Sequence, residues 1–218
     1  MSEYIDLKEK LQKQKIKGLA LDLDETLSFT ALHWVTQLSE KFGNPDNLSP
    51  HEVLSKYRLI QNYPVWQTAE AFAWMEWARN SNDLQKELPL IENSNHIVNK
   101  ISKIVPIACY LTARPYEVKE GTKHWLEKHG LPKADVLTMP EGMTYEEATS
   151  SWKPKVLEKL YPQVLGIVDD NISLLEHLPK DYKGYVFIYD YSNFQSEQKN
   201  VFSCPTWEDV LEKVKELF

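Results

Sequence analysis

A chain of 218 residues, 42% hydrophobic and 26% charged, has the composition of a soluble globular protein and the length for one α/β domain with a sizeable insertion. A formal net charge of −7 speaks against a broad nucleic-acid surface, because phosphate backbones attract basic ones, but it leaves room for a small basic pocket. No apolar run reaches the length of a bilayer span, so no membrane partner is expected.

The opening segment "MSEYIDLKEKLQKQKIKG" is charged and helical in pattern, without the apolar centre of a signal peptide. Five apolar runs follow, at 18–24, 105–112, 134–139, 164–170 and 184–190, with a short edge candidate at 200–204. The first, second, fourth and fifth are apolar at nearly every position, which predicts strands buried on both faces of a parallel sheet. Cys109 lies in the second run and reads as a buried, reduced thiol. With Cys204 as its only fellow cysteine there is no disulfide scaffold, and a cytoplasmic location is the expectation.

Between the strands, Ile97, Ile101 and Ile104 mark a helical stripe. Pro115 stands at an N1-like position before a helix that Gly130 closes, and Pro154 opens another. Thr206 with Asp209 predicts a capping arrangement on a last helix that turns Val210, Leu211, Val214 and Leu217 inward. Alternating strands and helices give the fold class: α/β, a Rossmann-like parallel sheet flanked by helices. The alternation breaks over 28–90, where helices are predicted near 29–42, 50–62 and 65–79. This interval reads as a helical cap inserted after the first strand, leaving 1–27 and 91–218 as the core.

Four places carry candidate chemistry. In "LALDLDETLS" an apolar strand ends in Asp22, with Asp24 two residues on. Ligands of open parallel sheets bind beyond the carboxyl ends of the strands. Two carboxylates there repel unless a proton or a cation offsets them, and an oxygen-liganded magnesium ion would do so. A solvated turn with incidental acids explains the pair equally well. In "CYLTARP", Thr112, Ala113 and Arg114 stand where a strand meets a helix start, which suits either an anion or a plain N-cap. Lys153, just before Pro154, is a phosphate-neutralising cation or a surface lysine, with Lys155 as a second candidate of the same type. In "LGIVDDN" a fully apolar strand ends in Asp169 and Asp170, again a metal pair or a solvated turn. Each falls at a predicted strand end or at the helix start facing it, and phosphoryl transfer needs little beyond such positioning and charge.

This ordered set resembles the haloacid dehalogenase-like (HAD) superfamily: Asp-x-Asp-x-Thr after an apolar strand (Asp22, Asp24, Thr26), then Thr112, Lys153 and the Asp169–Asp170 pair. The resemblance covers most of 16–190. It implies a Rossmann-like core with a mobile helical cap, and a nucleophilic Asp22 that forms an aspartyl-phosphate. It implies Asp24 as general acid and base. Mg2+ would be held by Asp22, the Asp24 carbonyl and the acidic pair, with Asp170 preferred as the direct ligand. Thr112 and Lys153 would hold the phosphoryl oxygens. Dehalogenase members lack an acid at the position of Asp24, so a phosphatase is implied.

The tail "YVFIYDYSNFQ…VFSCPTWEDVLEKV" is similar to the 5′(3′)-deoxyribonucleotidase branch, with an Asn-bearing loop and a Trp-containing last helix. The segment "LTARPYEVKEGTKHWLEKHGLP" is similar to polynucleotide 3′-phosphatase domains. A closing helical cap favours a small phosphorylated substrate over a nucleic-acid end. The same residues serve a phosphotransferase or mutase, or a binding protein with a retained site. Of the cap aromatics Trp34, Trp66, Phe72, Trp74 and Trp77, most read as packing and one as a pocket wall, while His33 is a further pocket candidate. The oligomeric state is not legible in the sequence.

Overall fold

The protein is described from a computed structural model that covers residues 3–57, 59–192, 196 and 198–218. Its strands are β1 Gly18–Leu21, β2 Ile107–Pro115, β3 Asp135–Met139, β4 Val164–Asp169, β5 Tyr185–Tyr189 and β6 Val201–Cys204. They form one parallel sheet in the order β3-β2-β1-β4-β5-β6, so the run at 200–204 does supply an edge strand. Side chains alternate across it and divide the core in two. Leu19, Leu21, Tyr110, Val168 and Phe187 face α6 (Ser94–Ile101), α7 (Lys119–Lys128) and α11 (Trp207–Leu217). Ala20, Cys109, Leu111, Ile167 and Ile188 face α1 (Glu3–Gln14), α9 (Lys153–Leu160) and α10 (Leu174–His177). Helices on both faces leave the central strands no wet side, which is why their sequences are apolar at consecutive positions.

Backbone approach is tight in this sheet: a Cβ on Gly166 would lie 2.3 Å from the Tyr185 carbonyl oxygen. Gly130, at φ +64°, follows α7 in the left-handed conformation. Thr206 and Asp209 form a reciprocal capping box on α11, whose Val210, Leu211 and Val214 are buried, with Leu217 half-buried against the same core.

Several expected boundaries move. β1 ends at Leu21 and β4 at Asp169, so Asp22 and Asp170 open loops. β2 runs past Thr112 to Pro115, which therefore ends a strand instead of opening a helix. A residue before proline is pushed toward extended backbone, and Pro115 itself sits at φ −59°, ψ 152°. A 3₁₀ turn, Tyr116–Val118, then leads into α7. Lys153 follows a short helix α8 (Tyr145–Glu147) and a π-turn (Ala148–Trp152), so it lies inside a helical path and not at a free helix start. Pro154 cannot donate to residue 150, and the turn before it widens accordingly. Ile97 and Ile101 are buried, but α6 ends at Ile101 and Ile104 is exposed in the turn beyond.

Between β1 and β2 lie α2 (Thr30–Phe42), α3 (Pro50–Tyr57), α4 (Ala69–Asn80) and α5 (Asn82–Glu87). The helices predicted over 50–62 and 65–79 are shorter: each gives way to a 3₁₀ turn, Ile60–Asn62 and Pro64–Trp66, and Thr68 caps α4 by accepting the Ala71 N–H at 3.2 Å. This segment has its own apolar cluster around Val35, Leu38, Val53, Tyr63 and Trp66. Ser28 and Leu90 pair as an antiparallel bridge, so the chain leaves and rejoins the sheet side by side. The Asn-bearing loop expected after β5 falls on residues outside those described.

Candidate active site

β1 and β4 are neighbours at the point where the strand order reverses, the place where ligands bind in open α/β sheets. Asp22 follows β1 and Asp169 ends β4. Between them lies the buried Lys153, its Nζ 2.9 Å from Asp22 Oδ1 and 2.7 Å from Asp169 Oδ2. Asp170 joins through Thr26: the Asp170 N–H donates to Thr26 Oγ1 at 3.1 Å, and that hydroxyl donates to Asp170 Oδ1 at 3.1 Å. Asp22, Asp169 and Asp170 each offer an oxygen within 4.8 Å of the others.

Three carboxylates facing one ammonium leave two negative charges uncompensated. Burial pushes the Asp22 carboxyl up to about 7; Lys153 opposes the rise, whereas Asp169 and Asp24 add to it. Burial, Asp169 and Asp22 also raise Asp170 well above the ordinary carboxylate range. Burial works against the Lys153 cation, but Asp169 and Asp22 outweigh it and raise its pKa. The site fits a hard divalent cation: its donors are all oxygens, and two positive charges would balance it.

Asp24 lies in different surroundings. Arg114 grips its carboxylate, with Nε 3.0 and 3.1 Å from the two oxygens and Nη2 2.7 Å from Oδ1. The hydroxyls of Thr30 and Ser28 donate to the same oxygen. Burial opposes ionisation here, yet Arg114 and Thr30 hold the carboxyl below its ordinary value. The guanidinium is itself fixed, by Ser28 Oγ at 2.9 Å, by Thr122 Oγ1 at 3.3 Å and by lying 5.8 Å over the Trp125 ring. Arg114, expected to bind substrate, borders the cavity and has its guanidinium paired with Asp24.

The loop between these carboxylates is wound tightly. The Leu23 carbonyl accepts the Leu27 and Ser28 N–H groups at 2.7 and 2.9 Å, and Glu25 takes φ +57°. The Glu25 carboxylate caps the start of α2 by accepting the Ala31 N–H at 2.6 Å; burial raises it to about 7, against that bond. From the far end of the chain, Trp207 Nε1 donates to the Thr26 carbonyl at 3.0 Å and braces the loop.

A cavity of about 320 Å³ opens beside Asp24, between the strand ends and the inserted helices. Ala113 and Arg114 border it; Asp22, Thr112 and Lys153 are not among its lining residues. Thr112 is buried at a strand position, where its hydroxyl accepts the Arg114 N–H at 3.2 Å, so it is not the helix cap that its sequence allows. Lys155 is exposed and lies outside the cluster. Of the aromatic candidates only Trp34 lines the cavity, with Trp74 edge-on behind it at 6.0 Å. Trp66 is fully buried and donates to the Gly43 carbonyl at 2.9 Å, Phe72 and Trp77 are exposed, and His33 is not part of the lining.

Tyr145 is a site residue that the sequence did not reveal. It lines the cavity and is 54% exposed overall, while burial around its phenol, with Asp22 adding to the rise and Lys153 opposing it, brings that group to about 12. The legible signal nearby was Thr144 with Glu147, which form a capping box that holds Tyr145 at the first position of α8.

No family model and no curated protein matches this sequence. Solved structures do. A HAD-superfamily hydrolase of subfamily IA, variant 1, from Geobacter sulfurreducens PCA is 14% identical, with a TM-score of 0.50 over 91% of this chain and 99% of that one. A dehalogenase is 15% identical, with a TM-score of 0.53 over 93% of this chain and 97% of that one. Protein Tyrosine Kinase A (PtkA) of Mycobacterium tuberculosis is also 15% identical, at 0.53 over 92% and 99%. At such identities the likeness is one of fold: the chain has the α/β, Rossmann-like architecture found in HAD-superfamily hydrolases. Among the described residues no helix is long and apolar enough to cross a membrane.

Proposed function

We propose that this protein is a magnesium-dependent phosphomonoesterase acting on a small phosphorylated metabolite. The observation that carries the reading is the cluster of Asp22, Asp169 and Asp170 at a strand-order reversal, two of them buried on one Lys153 and the set two charges short of neutrality once all three ionise. Magnesium would be held by those carboxylates and the Asp24 carbonyl. When bound, it would draw charge from the phosphoryl oxygens and leave the Asp22 carboxylate ionised.

Asp22 then attacks phosphorus, the bond to the leaving oxygen breaks, and a water later cleaves the aspartyl-phosphate to release phosphate and restore Asp22. Lys153 supplies the cation beside Asp22. Asp24, ionised on Arg114, suits the second step, in which a base takes a proton from the attacking water. Donating a proton to the leaving group in the first step requires Asp24 to leave that ion pair. The helices over 28–90 act as the cap, and the cavity beneath them takes the organic part of the ester. A carboxylate in the place of Asp24 argues for phosphoryl transfer and against dehalogenation, where no such acid is needed.

Release of phosphate from p-nitrophenyl phosphate should require Mg2+ and vanish in Asp22→Asn. Full activity in that variant would remove the nucleophile assignment. A folded protein inert across a broad panel of phosphate esters would remove the enzyme reading itself.

A further inference from the structure

The cavity beside Asp24 is lined from two sources. The strand ends and the loop after β1 contribute Asp24, Glu25, Ala113 and Arg114, the groups nearest the proposed chemistry; the Asp24 carboxylate is paired with Arg114 and that of Glu25 accepts the Ala31 N–H. The inserted segment contributes a largely apolar wall, including Trp34, Leu54 and Ile60, together with one cation, Arg79, from the last turn of α4. Arg79 differs from the other cations of this region. Arg114 is tied to Asp24 and Lys153 to Asp22 and Asp169, whereas Arg79 has no ion-pair partner among the described residues. Arg79 is an exposed side chain at the rim of this apolar wall, and in a chain of net charge −7 a cation so placed is a ready partner for an anion that enters with an apolar body.

Building on the phosphatase reading, we infer that the preferred substrate is a phosphomonoester whose organic part is apolar or aromatic and carries a second anionic group, which Arg79 recognises. Arg79 is thus a specificity residue with no part in the bond-breaking steps. The volume of about 320 Å³ suits such a group and does not suit a polymer end.

The test compares phenyl phosphate with 4-carboxyphenyl phosphate, which differ in the distal anion alone. Wild type should favour the carboxylated ester in kcat/KM by about fivefold, the size expected of a solvent-accessible ion pair, and lose that preference at high salt. Arg79→Gln should bring the ratio near one, and Arg79→Glu should invert it, a reversal that a merely structural arginine would not produce. A ratio near one in wild type, or one unchanged in both variants, overturns the inference while the phosphatase reading stands. Hydrolysis of neither ester by a protein that still turns over other phosphate esters overturns the inference alone, and inertness across the whole panel overturns both.

Discussion

Asp22 and Asp24 are the same residue type two positions apart on one loop, yet they sit in opposite electrostatic states. Asp22 shares a single lysine with Asp169 and lies near a third carboxylate, Asp170, and its carboxyl is raised to about 7. Asp24 has an arginine to itself, with two hydroxyls besides, and its carboxyl is lowered. A strand end followed by a tight turn sends alternate side chains to different neighbours, so proximity in sequence says little about shared environment. One half of the site carries more carboxylates than cations, and in the other the charges are already matched.

The sharpest way to break this contrast is to remove each carboxylate's charge. Asp22→Asn should cut kcat by about 10³-fold or more, the scale of losing a nucleophile. Asp24→Asn should cost about 10²- to 10⁴-fold, the scale of acid–base catalysis. Stability should move the other way at Asp22. Because its carboxyl is raised in the folded state, metal-free wild type should lose stability as pH rises from about 4 to about 7, and Asp22→Asn should flatten that slope. Urea titrations across this range with equal slopes for both proteins would refute the assignment of charge strain to Asp22.

The cations come next. Lys153→Met leaves the two buried carboxylates of Asp22 and Asp169 without their ammonium and should cost about 3–5 kcal/mol in the metal-free protein. Arg114→Met should cost less, about 2 kcal/mol, because the Asp24 side chain is 33% exposed and water can screen it. Millimolar Mg2+ should recover part of the first loss and none of the second; equal recovery would erase the distinction between the two halves.

Magnesium itself should raise the melting temperature of wild type, by roughly 5–10 °C at a hundred times its dissociation constant. Asp170→Asn should shrink the rise, and differential scanning calorimetry with no shift in wild type would count against the metal site. The smallest effect belongs to Tyr145. With its phenol near 12 it remains a hydrogen-bond donor at neutral pH, so Tyr145→Phe and wild type should show parallel rate profiles between about pH 7 and about pH 10. A limb present in wild type alone would make the phenol a titrating participant.

Much of this was legible beforehand, for reasons particular residues make plain. Strands buried on both faces must be apolar throughout, so "GLAL" and "VLGIV" announced β1 and β4, and the polar residues breaking such runs had to be strand ends. Lys153 was harder to read, because a lysine directly after a tryptophan resembles any surface lysine until the fold buries it. The ion pair of Arg114 with Asp24 was hidden for a related reason: the partners lie 90 positions apart, and only the pairing of β1 with β2 brings the two together. Trp207 reaches Thr26 across 181 positions, and nothing local marks that bond. In the inserted segment, helical spacing located α2, α3 and α4 but neither the short α5 nor the 3₁₀ turns after α3 and before α4, since 3₁₀ and α-helical turns share nearly the same short-range periodicity.

The sequence by itself determined the class of fold and the identity of the carboxylates, because hydrophobic period and strand-end breaks are local properties of the chain. Tertiary structure decided what each of those carboxylates faces. Charge compensation depends on distances of about 3 Å between residues that the sheet, and not the chain, makes neighbours.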